Sequence, residues 1–250
     1  MFHILALILI SGIFGKKAEK EIVTPDTLYS RAYSYFQARK YSRSAELFKQ
    51  FIFKYPLSDS VDNAQYYLAR SYKEMKNFDD AISEYQFLIT TFSTSEYIPE
   101  ALLDIAECYI LRNKNIGRDT EELAEAMKYI NNFKNRYNYS PLIERAQELE
   151  KRITRFKGEK YLYIARTYLD IGHPQSAEIY LDLLEKEFKD DEYLINSGKL
   201  LRIQAKVEEG KCDSARLIYS ELTTISQNPE SFDIRELKRI KRLMSKKCKK

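Results

Sequence analysis

The chain has 250 residues, a net charge of +4, 31% charged and 44% apolar side chains, twenty Tyr and no Trp. This balance excludes a membrane-embedded bundle and a disordered chain, and leaves compact domains or one extended repeat array. With only seven Gly and six Pro, long uninterrupted helices are expected.

Met1 to Gly15, MFHILALILISGIFG, is an apolar run followed by Lys16 and Lys17. It is short for a membrane span and has the length of a secretory signal core, so export from the cytoplasm is expected. Ile10-Ser11-Gly12 matches the first three positions of a bacterial lipobox, but Ile13 stands where the lipid-bearing cysteine would be. Lipidation at that position is therefore not expected. Residues 16–24 read as a polar linker.

From Pro25 a helical-hairpin pattern begins, and it restarts at Asp62, Pro99, Gly158 and, less cleanly, near Asn196. Counted from each start, position 8 is Ala32, Ala69, Ala106 and Ala165, and position 11 is Tyr35, Tyr72, Tyr109 and Tyr168. The second helix of each unit carries a small residue at one site: Ser44, Ala81, Ala126, Ala177 and Ala215. Apolar residues at i, i+4 and i+7 line one helix face, and a small residue lets a neighbouring backbone approach. A single hairpin of this kind cannot bury its own apolar face, so copies must stack. The positions match the tetratricopeptide repeat. The expected fold is all-α: a superhelical solenoid of about five hairpins, over 25–61, 62–98, 99–140, 158–195 and 196–230.

Two insertions interrupt the period. Leu111 to Asp119 enlarges the turn of the third repeat, and 141–157 forms a charged segment that should run on as helix through Gly158. In the fifth repeat Lys199, Arg202 and Lys206 fall on nominal core positions; a one-residue slip would turn Leu201 and Ala205 inward instead. Pro229 closes the array. Residues 231–250 read as a terminal amphipathic capping helix, and Lys238 to Lys250 holds eight Lys and Arg and no acid. The body is thus mildly acidic and the tail basic. A tail of this kind suits a solvated last turn, or contact with phosphate groups.

No catalytic constellation emerges. His173, between Gly172 and Pro174, reads as a turn residue; Glu121-Glu122 and Asp190-Asp191 read as carboxylates at helix starts. Cys108, Cys212 and Cys248 are odd in number and irregular in spacing, so neither a disulfide framework nor a zinc site is indicated. No enzyme activity, cofactor or metal is expected. What such an array offers is a binding surface along its first helices. Their non-core stripe reads Tyr29, Tyr33, Phe36, then Tyr66, Arg70, Lys73, then Leu103, Glu107, Ile110. Aromatic side chains in a groove suit an extended or helical peptide.

Residues Thr24 to Phe188 resemble the BamD family, the repeat-bearing component of the machine that assembles β-barrel proteins in the bacterial outer membrane. The resemblance is carried by LYSRAYSYFQARKYSRSAELFKQFIFKYPLS, by the enlarged turn with Arg118, Asp119 and Thr120, and by RAQELEKRITRFKGEKYLYIARTYLDIGHPQSAEIYLDLLEKEF. It implies a non-catalytic periplasmic scaffold at the inner face of the outer membrane. The C-terminal repeats would bind periplasmic domains of the barrel insertase and other subunits, and the N-terminal repeats unfolded outer membrane protein segments. Membrane association is implied and nucleic acid is not. Ile13 in place of the lipobox cysteine is the main departure from the family pattern. An organiser of cell-envelope constriction or polysaccharide export is the alternative of another class.

Overall fold

A computed structural model describes residues 24–113, 121–225 and 233–248. The apolar leader, the Arg118-Asp119-Thr120 element and Pro229 lie outside the described residues. Regular structure within them is entirely helical. Helices α1 (Pro25–Gln37) and α2 (Tyr41–Lys54) form the first hairpin, α3 (Val61–Glu74) and α4 (Phe78–Thr91) the second. The third comprises α5 (Ile98–Arg112) and α6 (Glu121–Arg136). Helix α7 (Ile143–Asp170) pairs with α8 (Pro174–Glu187), and α9 (Glu192–Glu208) with α10 (Cys212–Ile225). Helix α11 (Ile234–Lys247) then packs on α9. First helices also touch one another, α1 with α3, α5 with α7 and α7 with α9, which makes them the inner lining of the superhelix.

The first, second, fourth and fifth hairpins close on one recurring turn. Arg39, Lys76, Gly172 and Gly210 each adopt a left-handed conformation, with φ of 57°, 64°, 78° and 76°. The following amide in each case donates back five residues, as in Lys40 N to Tyr35 O (2.9 Å) and His173 N to Tyr168 O (2.8 Å). This is the left-handed helix C-terminal turn, for which glycine is the unstrained choice. His173 is therefore a turn residue at the start of α8. Side-chain caps support several helix starts: Thr24 accepts from Thr27 N, Asp191 from Leu194 N and Asp233 from Arg235 N.

Every small position of the pattern is fully buried. Ala32, Ala69, Ala106 and Ala165 on the first helices have no exposed surface, and nor do Ser44, Ala81, Ala126, Ala177 and Ala215 on the second. The first hairpin shows how close the approach is: Ser44 Oγ donates to Ala32 O across the helix pair at 3.0 Å. Larger side chains fill the layers between hairpins, with Phe48, Phe51, Tyr85 and Phe133 wholly out of water.

Helix α7 runs unbroken for 28 residues through Gly158. That glycine is buried against α9, where a Cβ would stand 2.3 Å from Leu194 Cδ1. In the fifth repeat Leu201 and Ala205 are buried, as the slipped register requires, together with Leu200, Ile203 and Val207. Arg202 and Lys206 turn to α8 instead. Arg202 pairs with Glu178 (3.2 Å), Asp182 (2.7 Å) and Glu185 (3.3 Å), and Lys206 with Glu178 (2.9 Å).

The cysteine expectation is corrected. Cys212, at the start of α10, and Cys248, just past α11, form a disulfide across 36 residues. Cys108 is free and buried. The irregular spacing concealed the pair because a full hairpin arm, a connection and a helix lie between the two sulfurs.

A Cβ at Gly172 would meet no atom within 4 Å, so its cost is conformational alone. Gly172→Ala is expected to lower stability by about 1 kcal/mol in denaturant titrations. For a loop of this length, reduction or Cys248→Ser should remove roughly 3–4 kcal/mol from the C-terminal unit. A thermal melt unaffected by reductant would rule the bond out.

Candidate concave binding site

Helices α1, α3, α5 and the first half of α7 place the candidate residues along the inner surface, in two sectors. The first is aromatic. Tyr29, Tyr33 and Phe36 on α1 are half-buried and lie along one face. Tyr33 meets Tyr67 edge-on at 4.9 Å, and Phe36 meets the same ring at 5.2 Å. Tyr29 packs on Phe48 and Phe51, both centroids at 5.6 Å, and burial pushes its hydroxyl pKa up to about 12. Tyr67, which the stripe omitted, is the ring that joins α1 to α3. Its position next to Tyr66 on α3 turns it toward the preceding helix. Arg70 closes this sector, its guanidinium 5.4 Å from the Phe36 ring and 6.0 Å from the Tyr66 ring, a cation–π arrangement.

The second sector is ionic and centres on Asp104 of α5, only 3% exposed. Its Oδ1 accepts from Lys73 Nζ at 2.6 Å and from Arg145 Nη2 at 2.5 Å. Its Oδ2 accepts from the hydroxyls of Tyr85 (2.8 Å) and Tyr66 (3.4 Å). One turn on, Glu107 Oε2 accepts from Lys73 (2.6 Å) and Arg145 (2.8 Å), while Arg152 approaches Oε1 at 3.5 Å. Burial alone would raise both carboxyl pKa values, but the attraction of Lys73 and Arg145 outweighs it and holds both below the ordinary carboxylate range. Lys73 is held above its ordinary value by the same two carboxylates, against the opposing effect of its burial. These groups stay ionised on either side of neutrality. They are not poised to exchange protons near pH 7, as acid–base catalysis would require.

Two members of the sequence-derived stripe do not line an open groove. Leu103 has no exposed surface and packs with Ile130, Phe133, Ala146 and Leu149. Tyr66 is 4% exposed, stacked on Tyr97 at 4.4 Å and turned to Asp104. Tyr66 is covered by Tyr85, Tyr97 and Asp104, whereas for Leu103 the cause is α7, whose first turns lie over the inner side of α5. Ile110 is half-buried against the same cluster, and Arg70, Lys73 and Glu107 retain partial exposure. Asp104 and Arg145 escaped the sequence reading because one sits at a position expected to be apolar and the other in an inserted segment. No grouping of His, Cys, Asp and Glu able to hold a metal ion occurs among the described residues, and no helix among them is long and apolar enough to cross a membrane.

Stacked hairpins with small residues at the helix crossings and a lined inner face define a tetratricopeptide-repeat protein. The sequence profile of the YfiO family, outer membrane lipoproteins, matches residues 22–213, and the chain belongs to this family, that of BamD. No protein of curated function matches it. Among solved structures, the chain is similar to the TPR2AB domain of yeast Sti1 in its complex with pHSP90. The identity is 13% and the TM-score 0.45, with 90% of this chain and 98% of that one covered. It is also similar to a thermophilic tetratricopeptide-repeat protein of Thermus thermophilus, at 15% identity and a TM-score of 0.34, covering 89% and 100%. A repeat protein from Parabacteroides merdae matches at 13% identity and a TM-score of 0.29, covering 88% and 98%.

Because both carboxyls are more acidic in the folded chain than in the unfolded one, their stabilisation is present above the unfolded carboxyl pKa of about 4 and disappears as pH falls through the folded values. Asp104→Asn leaves Lys73 and Arg145 with a single carboxylate. It is expected to cost roughly 3–5 kcal/mol at pH 7 and less at acid pH. Equal losses at pH 7 and pH 3 in urea titrations would argue against an electrostatic origin.

Proposed function

We propose that the protein is a non-catalytic periplasmic scaffold that assists assembly of β-barrel proteins at the inner face of the outer membrane. The observation that carries this reading is the family match, which spans four complete hairpins and enters the fifth. The cystine supports export, since such bonds persist in oxidising compartments. The inner surface supports a binding role. Tyr29, Tyr33, Phe36 and Arg70 present rigid rings and one cation without an acidic ion-pair partner among the described residues, a composition suited to an extended peptide. Lys73, Glu107 and Arg145 would limit that groove at its far end. The C-terminal repeats would take the periplasmic domains of the barrel insertase, leaving the N-terminal repeats for unfolded barrel segments.

The test is a titration of the chain against its host's insertase domains and against peptides from outer membrane proteins. Micromolar insertase binding that is lost when α8–α10 are altered supports the reading. Tyr33→Ala and Arg70→Ala should each weaken peptide binding about tenfold while leaving insertase binding unchanged. Absence of insertase binding by a folded, helical chain would favour an organiser of envelope constriction or polysaccharide export.

A further inference from the structure

We propose that the outer face of α11 is a docking strip for an anionic lipid surface. This helix is sharply two-sided. Leu237, Ile240, Leu243 and Met244 face the body, where Ile240 is fully buried among Leu200, Ile203 and Val207 of α9 and Ala215 and Leu222 of α10. The opposite side carries Lys238, Lys241, Arg242 and Lys246, all exposed, and Lys247 is exposed at the end of the helix. None of these five has an ion-pair partner among the described residues. On the same helix, by contrast, Arg235 meets Asp233 and Arg239 meets Glu236. Residues 235, 239, 242 and 246 follow the i, i+4, i+7, i+11 spacing of one helix stripe. With Lys238 and Leu243 they line an open groove of 490 Å³.

The strip is rigidly held. The Cys212–Cys248 bond ties its end to α10, and Arg216 donates to Cys248 O at 2.8 Å. Arg239 donates to Gln204 of α9 at 2.6 Å, and Glu236 accepts from Arg166 of α7 at 3.3 Å. Like charges fixed on one face repel one another, and nothing within the described chain offsets them. An external anion would. A nucleic acid is disfavoured, because a cystine-stapled helix belongs to an oxidising compartment where that polymer is not the ordinary partner. A lipid surface fits best. The strip is straight, basic residues near a headgroup layer each add to attraction, and the family is one of outer membrane lipoproteins.

The experiment is co-sedimentation of the full chain, under oxidising conditions, with phosphatidylcholine vesicles with and without phosphatidylglycerol. The ratio of the two affinities is the readout, since the apolar leader contributes to both alike. Wild type is expected to prefer the anionic vesicles, with the preference shrinking as salt is raised. The combined variant Lys238→Gln, Lys241→Gln, Arg242→Gln, Lys246→Gln and Lys247→Gln should lose at least about 100-fold of that preference. Its melting temperature should not fall, because the altered side chains are exposed and make no ion pair among the described residues. A preference that survives in this folded variant, or no preference in wild type, overturns the proposal.

Discussion

The whole array depends on how closely two helix backbones approach at the small positions. With Ala32 opposite Ser44, and the equivalent buried residues in later hairpins, the helices meet without side chains between them. The large residues one turn away then reach past the contact into the next hairpin. In the first two repeats a buried hydroxyl chain marks this passage. Ser71 Oγ donates to Tyr67 O at 2.7 Å and lies 3.4 Å from Ser44 Oγ, so α3 sits directly against the preceding hairpin. A bulkier group at any such site would hold the helices apart and uncouple the layers on both sides.

A solenoid is ordinarily coupled only between neighbours. Two features strengthen that coupling here. The Asp104 and Glu107 carboxylates gather Lys73 from α3 and Arg145 from α7, so three successive first helices share one set of charges. At the far end the Cys212–Cys248 bond makes α10 and α11 a single closed unit. The middle is thus stiffened by ion pairs inside the curve and the end by a covalent link. The aromatic sector over α1 and α3 is left as the part of the inner face where rings, rather than mutually neutralised charges, meet solvent.

Charge is distributed by the same logic. Around Asp104 and between α8 and α9, cations are matched by acids within the fold, as Arg202 is by Glu178, Asp182 and Glu185. On α11, Lys238, Lys241, Arg242 and Lys246 are not matched by any acid among the described residues. A matched cation supports structure, whereas an unmatched row on a rigid helix directs its field outward.

The repeat period, the buried small residues and the uninterrupted passage through Gly158 were legible from sequence, because each is a local periodicity that survives any choice of neighbours. The slipped register of the fifth repeat was legible too, since Leu201 and Ala205 offered an alternative apolar face. Tertiary structure alone decided what meets across the array. It buried Leu103 under the first turns of α7 and Tyr66 among Tyr85, Tyr97 and Asp104, and it placed Asp104 between a lysine 31 residues away and an arginine 41 residues away. It also brought Cys212 and Cys248 to a Cα separation of 5.6 Å. The physical reason is one of range. Helix periodicity shows which face of each segment turns inward, but pairing between faces depends on the rotation from one hairpin to the next, and no single segment encodes that rotation.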